Sequence, residues 1–319
     1  MTFGSADRAR PGFTLVELLL ALAVATLLAA TLLMAMWSAQ EEARDARTQA
    51  QIAKLNEYIM SQWETYSSRQ VPIRYRPANP LVPFQPTARE RLLARLVLLR
   101  DLMRMELPDR KTDVLSPKAQ LVFRDNNGNV RGIAELSVES RAWREYRRRA
   151  VSSWTETFQG AECLYLIIST IRDENGSALD YFRDNEIGDI DGDGMPEILD
   201  GWGNPISFLR WAPGYDSPMQ IPDRNRSPDF FDPLHVDPRW SNPNEKVPFN
   251  LIPLIFSPGP DRLYGLITDT SAAPFLDYRN TTPLPVDPYA AVSPGIYVGQ
   301  SDGTSDAADN ITNHLMEIR

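Results

Sequence analysis

Thiol and imidazole ligands are scarce in this chain of 319 residues: one cysteine, Cys163, and two histidines, His235 and His314. A single thiol excludes an intrachain disulfide and a four-thiolate zinc site. Two imidazoles leave little room for histidine-dependent catalysis. No G-x-x-x-x-G-K-S/T run occurs, so the chain carries no P-loop for nucleotide hydrolysis. A formal net charge of −9 argues against a dedicated nucleic-acid binder. Apolar surface is not lacking: 43% hydrophobic and 24% charged residues exclude wholesale disorder.

The scarce and the abundant residues are unevenly spread. The first 172 residues carry 24 basic and 18 acidic residues, and the rest carry 9 basic and 24 acidic. Eighteen of the 26 prolines fall in the second part. A basic, helix-biased half therefore precedes an acidic, loop-rich half.

Between Phe13 and Val71 there is neither glycine nor proline. Residues Phe13 to Trp37 form an apolar run interrupted by one acid, Glu17. At ~1.5 Å per residue the run reaches roughly 37 Å, enough to span a bilayer and too long for a signal-peptide core. Beyond it, Ile52, Leu55, Ile59, Trp63 and Tyr66 recur at three- or four-residue spacing, one helical face. The pattern predicts one helix over 13–71, membrane-embedded over 13–37 and ended by Pro72. A carboxylate at Glu17 costs about 2 kcal/mol or more unless it is partnered. A free α-amine would serve, and a cut before Phe13 would create one.

This segment resembles the type IV pilin superfamily. A polar leader, residues 1–12, holds Arg8 and Arg10 and ends in Gly12, followed by Phe13-Thr14-Leu15-Val16-Glu17 and the apolar helix. The resemblance implies cleavage between Gly12 and Phe13 by a prepilin peptidase and methylation of the new Phe13 amine. It also implies that Glu17 pairs with the N-terminal amine of a neighbouring subunit during assembly. The arginines before the helix agree with a cytoplasmic N-terminus before cleavage.

The middle of the chain, 72–172, reads as helix and hairpin. Pro72 to Pro86 reads as an extended connector. Thr87-Ala88-Arg89-Glu90 has the spacing of a capping box, opening a helix to Leu107. Leu92, Leu96, Leu99 and Met103 would form its buried stripe, with Arg89, Arg95, Arg100 and Arg104 outward. Leu121 to Arg124 and Val130 to Leu136 flank a turn-forming Asp125-Asn126-Asn127-Gly128-Asn129 and suggest a hairpin. Arg141 to Arg149, RAWREYRRR, reads as the solvated face of a helix, with a nucleic-acid or anionic-lipid patch as the alternative. Ala161 to Thr170 is apolar enough to be buried, as helix end or strand, with Cys163 a small core residue.

In the acidic part, 173–319, Asp189-Ile190-Asp191-Gly192-Asp193-Gly194-Met195-Pro196-Glu197 has the D-x-D-x-D-G arrangement of calcium loops. Carboxylates at positions one, three and five converge on one ion, Gly194 permits the sharp turn, and Met195 offers its carbonyl. Glu197 falls at position nine and Asp200 at position twelve. The following Gly201-Trp202-Gly203-Asn204-Pro205 cannot make a helix, so this is a calcium loop outside a helix-loop-helix. Four acids this close would repel without a cation.

Three later pieces look like elements of the major pseudopilins of type II secretion: Trp202-Gly203-Asn204-Pro205, Ser257-Pro258-Gly259-Pro260-Asp261, and the terminal stretch from Asp302 through Asp306, Asp309 and Ile311 to Asn313. In that family the last two lie together and build a calcium site, which carried over implies Asp261, Asp306 and Asp309 as carboxylate ligands. Two departures stand out. About forty residues separate Asp261 from Asp302, and the insertions before Gly160 have no counterpart in those shorter proteins.

Together these readings predict an α+β, type IV pilin-like chain, with a long N-terminal helix, a small antiparallel sheet and calcium-stabilised loops. The resemblance implies a single-pass inner-membrane prepilin with a periplasmic head. It would assemble with copies of itself and other pseudopilins, on a secretion assembly platform driven by a separate ATPase. A type IV or DNA-uptake pilus subunit, and a membrane-anchored calcium-dependent enzyme or binding module, are the alternatives. Gly299-Gln300-Ser301-Asp302-Gly303 matches the G-x-S-x-G nucleophile elbow in letters, but too few residues follow for the rest of a triad, so no enzyme is expected.

Overall fold

The structure, a computed structural model, describes residues 14–173, 176–241, 246–268 and 287–318. The leader, with Gly12, and Phe13 lie outside the described residues. The chain divides into two compact units, 1–46 and 47–319. The first helix, α1, runs over Leu15–Thr65. Thr14 opens it, its hydroxyl accepting from Glu17 N at 3.2 Å while its own N–H donates to Glu17 Oε2 at 2.9 Å. This reciprocal pair is a capping box that satisfies two orphan donors of the helix start. The helix ends at Thr65 rather than Val71, leaving through a turn in which Tyr66 N donates to the Trp63 carbonyl at 3.2 Å.

In the first unit, every side chain from 14 to 44 is exposed, including an apolar surface from Leu15 to Trp37. In the second, the end of α1 buries Ile52, Leu55, Ile59, Trp63 and, just beyond it, Tyr66, the face that the spacing predicted.

Around it, β1 (Ile73–Pro77), β2 (Gln120–Arg124) and β3 (Val130–Leu136) form an antiparallel sheet in the order β1-β3-β2. The β2–β3 pair is the expected hairpin, and Asp125 Oδ1 accepts from Asn127 N and Asn129 N to close its turn. The proline-rich segment expected as a connector instead supplies β1, in register from Ile73 opposite Leu136 to Pro77 opposite Gly132. It lies at a sheet edge with Pro77 at its end, a place where a missing N–H is tolerated.

Helix α2 (Ala88–Glu106) starts with the expected Thr87–Glu90 capping box. Its burial departs from the predicted stripe: Leu92 is exposed, while Arg100 and Arg104 are buried. Arg100 donates to Asp237 at 2.7 Å and to Asp229 at 3.0 Å. Arg104 donates to Asp101 at 2.9 Å and to the Asp113 carbonyl at 2.7 Å. Residues far along the chain supply Arg100's partners, so periodicity within the helix cannot reveal them.

Three more helices follow: α3 (Lys111–Leu115), α4 (Arg141–Arg149) and α5 (Gln159–Thr170). The apolar stretch at 161–170 is thus helix, with Cys163 in the core. The acidic part is built from short strands. β4 (Arg172–Asp173) pairs with β5 (Gly176–Ser177), β6 (Ile187–Gly188) with β7 (Glu197–Ile198), and β10 (Ala291–Ser293) with β11 (Ile296–Tyr297). A second three-stranded antiparallel sheet joins β8 (Ser207–Leu209), β9 (Leu254–Ser257) and β12 (Ile311–Thr312), with β9 in the middle.

Helix α5 packs against β7 and β8. Gly160 allows the approach: a Cβ there would meet Ser207 Oγ at 2.8 Å and the Phe208 carbonyl at 2.9 Å. The architecture is α+β, a long apolar N-terminal helix with a globular part holding small antiparallel sheets, consistent with a pilin-like fold.

Buried charge and a buried imidazole give this unit two measurable dependences. Arg100→Leu strands two buried carboxylates and should cost about 3–5 kcal/mol, read by urea denaturation of the full chain in detergent. A loss below about 1 kcal/mol would contradict the pairing. His314 donates from Nε2 to the Pro253 carbonyl at 3.1 Å and accepts at Nδ1 from the Ser217 hydroxyl at 2.9 Å. Burial disfavours its charged form and holds its pKa down at about 4. The unfolded chain takes up this proton near pH ~6.5, so the stability present above that pH is lost as pH falls toward 4. Between about pH 7 and about pH 4 the wild type should therefore lose up to about 3 kcal/mol more than His314→Gln. Equal losses would clear His314 of the effect.

Candidate functional site

Two places hold the residues singled out from the sequence. The first is the start of α1, where Glu17 completes the helix cap beside an apolar surface. Thr14 Oγ1 also donates to Glu17 Oε2 at 2.9 Å, so the carboxylate has its partners within its own first turn.

The second is the acidic loop between β6 and β7. The two strands pair Ile187 with Ile198 and Gly188 with Glu197, so a short β-ladder closes the loop where an EF-hand has helices. Gly194, at φ +95°, turns the chain in the left-handed region that glycine favours. Asp189 Oδ1 accepts from Gly192 N at 2.8 Å, and its Oδ2 from Gly194 N at 3.0 Å. Asp191 Oδ2 accepts from Thr155 Oγ1 at 2.8 Å. Asp193 Oδ1 accepts from Met195 N at 2.8 Å, and its Oδ2 accepts from Thr155 N.

The carboxylates of Asp189, Asp191 and Glu197 converge to within 4.8 Å of one another. A second trio, Glu162, Asp191 and Asp193, converges to the same limit. Glu162 comes from α5 and was passed over in the sequence as part of an apolar stretch. The one available signal was an acid in a run otherwise fit for the core.

Glu162 and Glu197 are both fully buried. Trp154 Nε1 donates to Glu162 Oε2, and Ile190 N donates to Glu197 Oε2 at 3.1 Å. The other oxygen of each, Oε1, is buried without a hydrogen-bond partner. Burial, and then the neighbouring Asp193, Asp191 and Glu197, push the Glu162 carboxyl up to about 9. Burial, opposed by the Ile190 N–H and reinforced by Asp191, Asp189 and Asp193, raises Glu197 to about 7. Both shifts express a shortage of positive charge. The donors are all carboxylate oxygens, the set that suits calcium or magnesium rather than zinc.

Asp200, at position twelve, stands elsewhere. Its Oδ1 accepts from Trp202 N and Asn204 N, both at 2.8 Å, and its Oδ2 from Ser257 Oγ at 2.6 Å. It holds the Gly201–Asn204 turn against β9. Asn204 Nδ2 donates to the Gly259 carbonyl at 2.9 Å, Tyr264 OH to the Pro205 carbonyl at 2.6 Å, and Asn310 Nδ2 to the Tyr264 carbonyl at 2.7 Å. With Ile311 paired opposite Ser257, the W-G-N-P, S-x-G-P-D and terminal elements form one hydrogen-bonded cluster.

Asp261 is exposed and accepts from Leu263 N at 2.8 Å, while Asp306 and Asp309 are half-buried. Among the described residues, the carboxylates of these three do not converge to within 4.8 Å.

The remaining candidates are structurally committed. In α4, Trp143 and Tyr146 are buried, and Arg148 and Arg149 pair with Glu145, so the aromatics of RAWREYRRR offer no stacking surface for bases. Ser301 Oγ accepts from Gly303 N at 3.2 Å, and the His314 ring is engaged with Ser217 and Pro253.

The chain matches the family described as the prokaryotic N-terminal methylation motif over residues 7–33, a span that contains Gly12, Phe13 and Glu17. The match supports a type IV pilin-like prepilin. Comparison with curated proteins and with solved structures found no match. The motif implies processing by a prepilin peptidase and assembly with other pilin-like subunits. Among the described residues, α1 is the one helix long and apolar enough to cross a membrane, consistent with a membrane-anchored pilin-like protein.

Proposed function

We propose that this chain is a structural, non-catalytic subunit of a periplasmic pseudopilus of the type II secretion kind. It is held by α1 in the inner membrane until its leader is removed and Phe13 is methylated. The observation that carries this reading is the methylation-motif match at 7–33, placed on a helix whose first half exposes an unbroken apolar surface with one acid. The hydrogen-bonded union of Gly201–Pro205, Ser257–Asp261 and Asn310–Asn313 supports the pseudopilin assignment, because those pieces carry the resemblance. Copies of the chain and other pseudopilins would pack the apolar helices together, with an assembly platform and a cytoplasmic ATPase supplying work.

In the assembled state, Glu17 pairs with the methylated amine of the neighbouring Phe13. Glu17→Ala should leave leader cleavage intact and abolish filament assembly, scored by immunoblot of the processed chain and by sheared-filament yield. Wild-type yields would refute the pairing.

The Asp189–Glu197 loop binds calcium as a structural ion in the same reading. The unpartnered buried carboxylate oxygens of Glu162 and Glu197 support this, since each residue belongs to a trio of converging carboxylates that a hard cation can bridge. Calcium at about a hundredfold above its Kd stabilises by about 2.7 kcal/mol, which for a unit of this size raises Tm by roughly 5–10 °C. Chelation should lower the Tm of the full chain in detergent by that amount. A melt indifferent to chelator would remove calcium from the reading.

A further inference from the structure

We propose that Glu162 is a direct ligand of the cation held by the Asp189–Glu197 loop, supplied from the core side by α5 in place of the loop's own position twelve. The inference rests on the calcium reading and deepens it.

Three observations converge on Glu162. Its carboxylate lies within 4.8 Å of those of Asp191 and Asp193, so one ion can touch all three. It is fully buried, and its Oε1 has no hydrogen-bond partner. A carboxyl oxygen buried without a partner is costly, and contact with a divalent cation relieves that cost. Its Oε2 accepts from the indole N–H of buried Trp154. That bond fixes the carboxylate plane and leaves Oε1 free for the ion, the part an outer-shell partner plays at metal sites.

The loop needs such a ligand. Calcium takes six to eight oxygens, and in an EF-hand a bidentate glutamate at position twelve supplies two of them. Here Asp200 occupies that position but belongs to neither converging trio, its carboxylate turned to Trp202, Asn204 and Ser257 instead. Glu162 converges with Asp191 and Asp193 and is not grouped with Asp189 or Glu197, so the ion it would touch is the one held at the centre of the loop, with Asp191 common to the two trios. Thr155 binds Asp191 through its hydroxyl and Asp193 through its N–H, holding these two carboxylates beside the segment that carries Trp154.

The consequence is mechanical. Calcium loops of the helix-loop-helix kind close on their own sequence, whereas this loop would close on α5. Ala161, Cys163 and Leu164, beside Glu162, are buried in the core, and the helix packs against β7 and β8. Ion binding would therefore lock the 189–197 loop to the centre of the head.

The test uses the full-length chain in detergent, with terbium as a luminescent calcium substitute and calcium as competitor. Wild type should show terbium emission on tryptophan excitation, displaced by calcium. Glu162→Gln, which keeps the shape and removes the charge, should weaken calcium binding by roughly tenfold or more while its metal-free Tm equals or exceeds that of the wild type. Glu162→Asp, which keeps the charge and draws the carboxylate back by one methylene, should also weaken calcium binding, by roughly a few fold or more. This second variant decides the matter if Glu162→Gln does not fold. Wild-type calcium affinity in Glu162→Gln, or in Glu162→Asp where that variant alone folds, overturns Glu162 as a ligand and leaves calcium in the loop. Absence of calcium binding by the wild type overturns both.

Discussion

A carboxylate cannot be buried bare, and the globular part of this chain is organised around that constraint. Its acids outnumber its bases along the second half of the sequence, yet many of them lie inside. Several buried acids, in both halves of the chain, find a guanidinium: Asp229 and Asp237 share Arg100, Asp113 takes Arg210 at 2.8 Å, Glu106 takes Arg69 at 2.7 Å, and Glu186 takes Arg47 at 2.8 Å. Others, such as Asp200 and Asp232, are satisfied by backbone N–H groups and neutral side chains. Such pairs add little net stability over apolar replacements. What they contribute is specificity, because a loop that left its arginine would strand the partner.

Against that pattern, Glu162 and Glu197 are exceptional. Among the described residues, their Oε1 atoms are the buried carboxylate oxygens without any partner. Among the described residues no arginine pairs with them, and the neighbouring aspartates raise the local negative charge further. A fold that matches its other buried acids so fully leaves this site short by a positive charge. In the proposed reading a mobile cation supplies it, which would tie the rigidity of the loop to the surrounding medium.

How much of this was legible in the sequence depended on range. The capping box at Thr87–Glu90, the Asp125–Asn129 turn and the buried face of α1 are local patterns, and each stands where the residues put it. The loop at 189–197 was legible for the same reason, since its aspartates and glycines fix the turn among themselves. Partners distant in the chain were not legible. Arg100 looks like an outward residue until Asp229 and Asp237 are brought to it, and Asp200 looks like a twelfth-position ligand until Ser257 arrives. Glu162 was hidden twice, by its apolar neighbours and by the distance to Asp191. The strand Ile73–Pro77 was hidden by Pro72 before it and Pro77 at its end, which an edge position tolerates.

The same constraint bears on Glu17, with a different resolution. A lone acid on an apolar helix is costly in lipid, and the chain answers locally: Thr14 gives both its N–H and its hydroxyl to the carboxylate. The carboxylate thereby has partners within its own chain. A charged amine offers what neutral donors do not, since a hydrogen bond between ions is roughly twice as strong as a neutral one. Exchange of the Thr14 donors for an amine, or addition of the amine to them, therefore favours association only where an amine exists. Uncleaved chains present a peptide bond at Phe13 in place of that amine. In the proposed assembly, leader removal would thus convert a helix cap that is adequate for one chain into a contact that rewards two, tying assembly to processing through a single carboxylate.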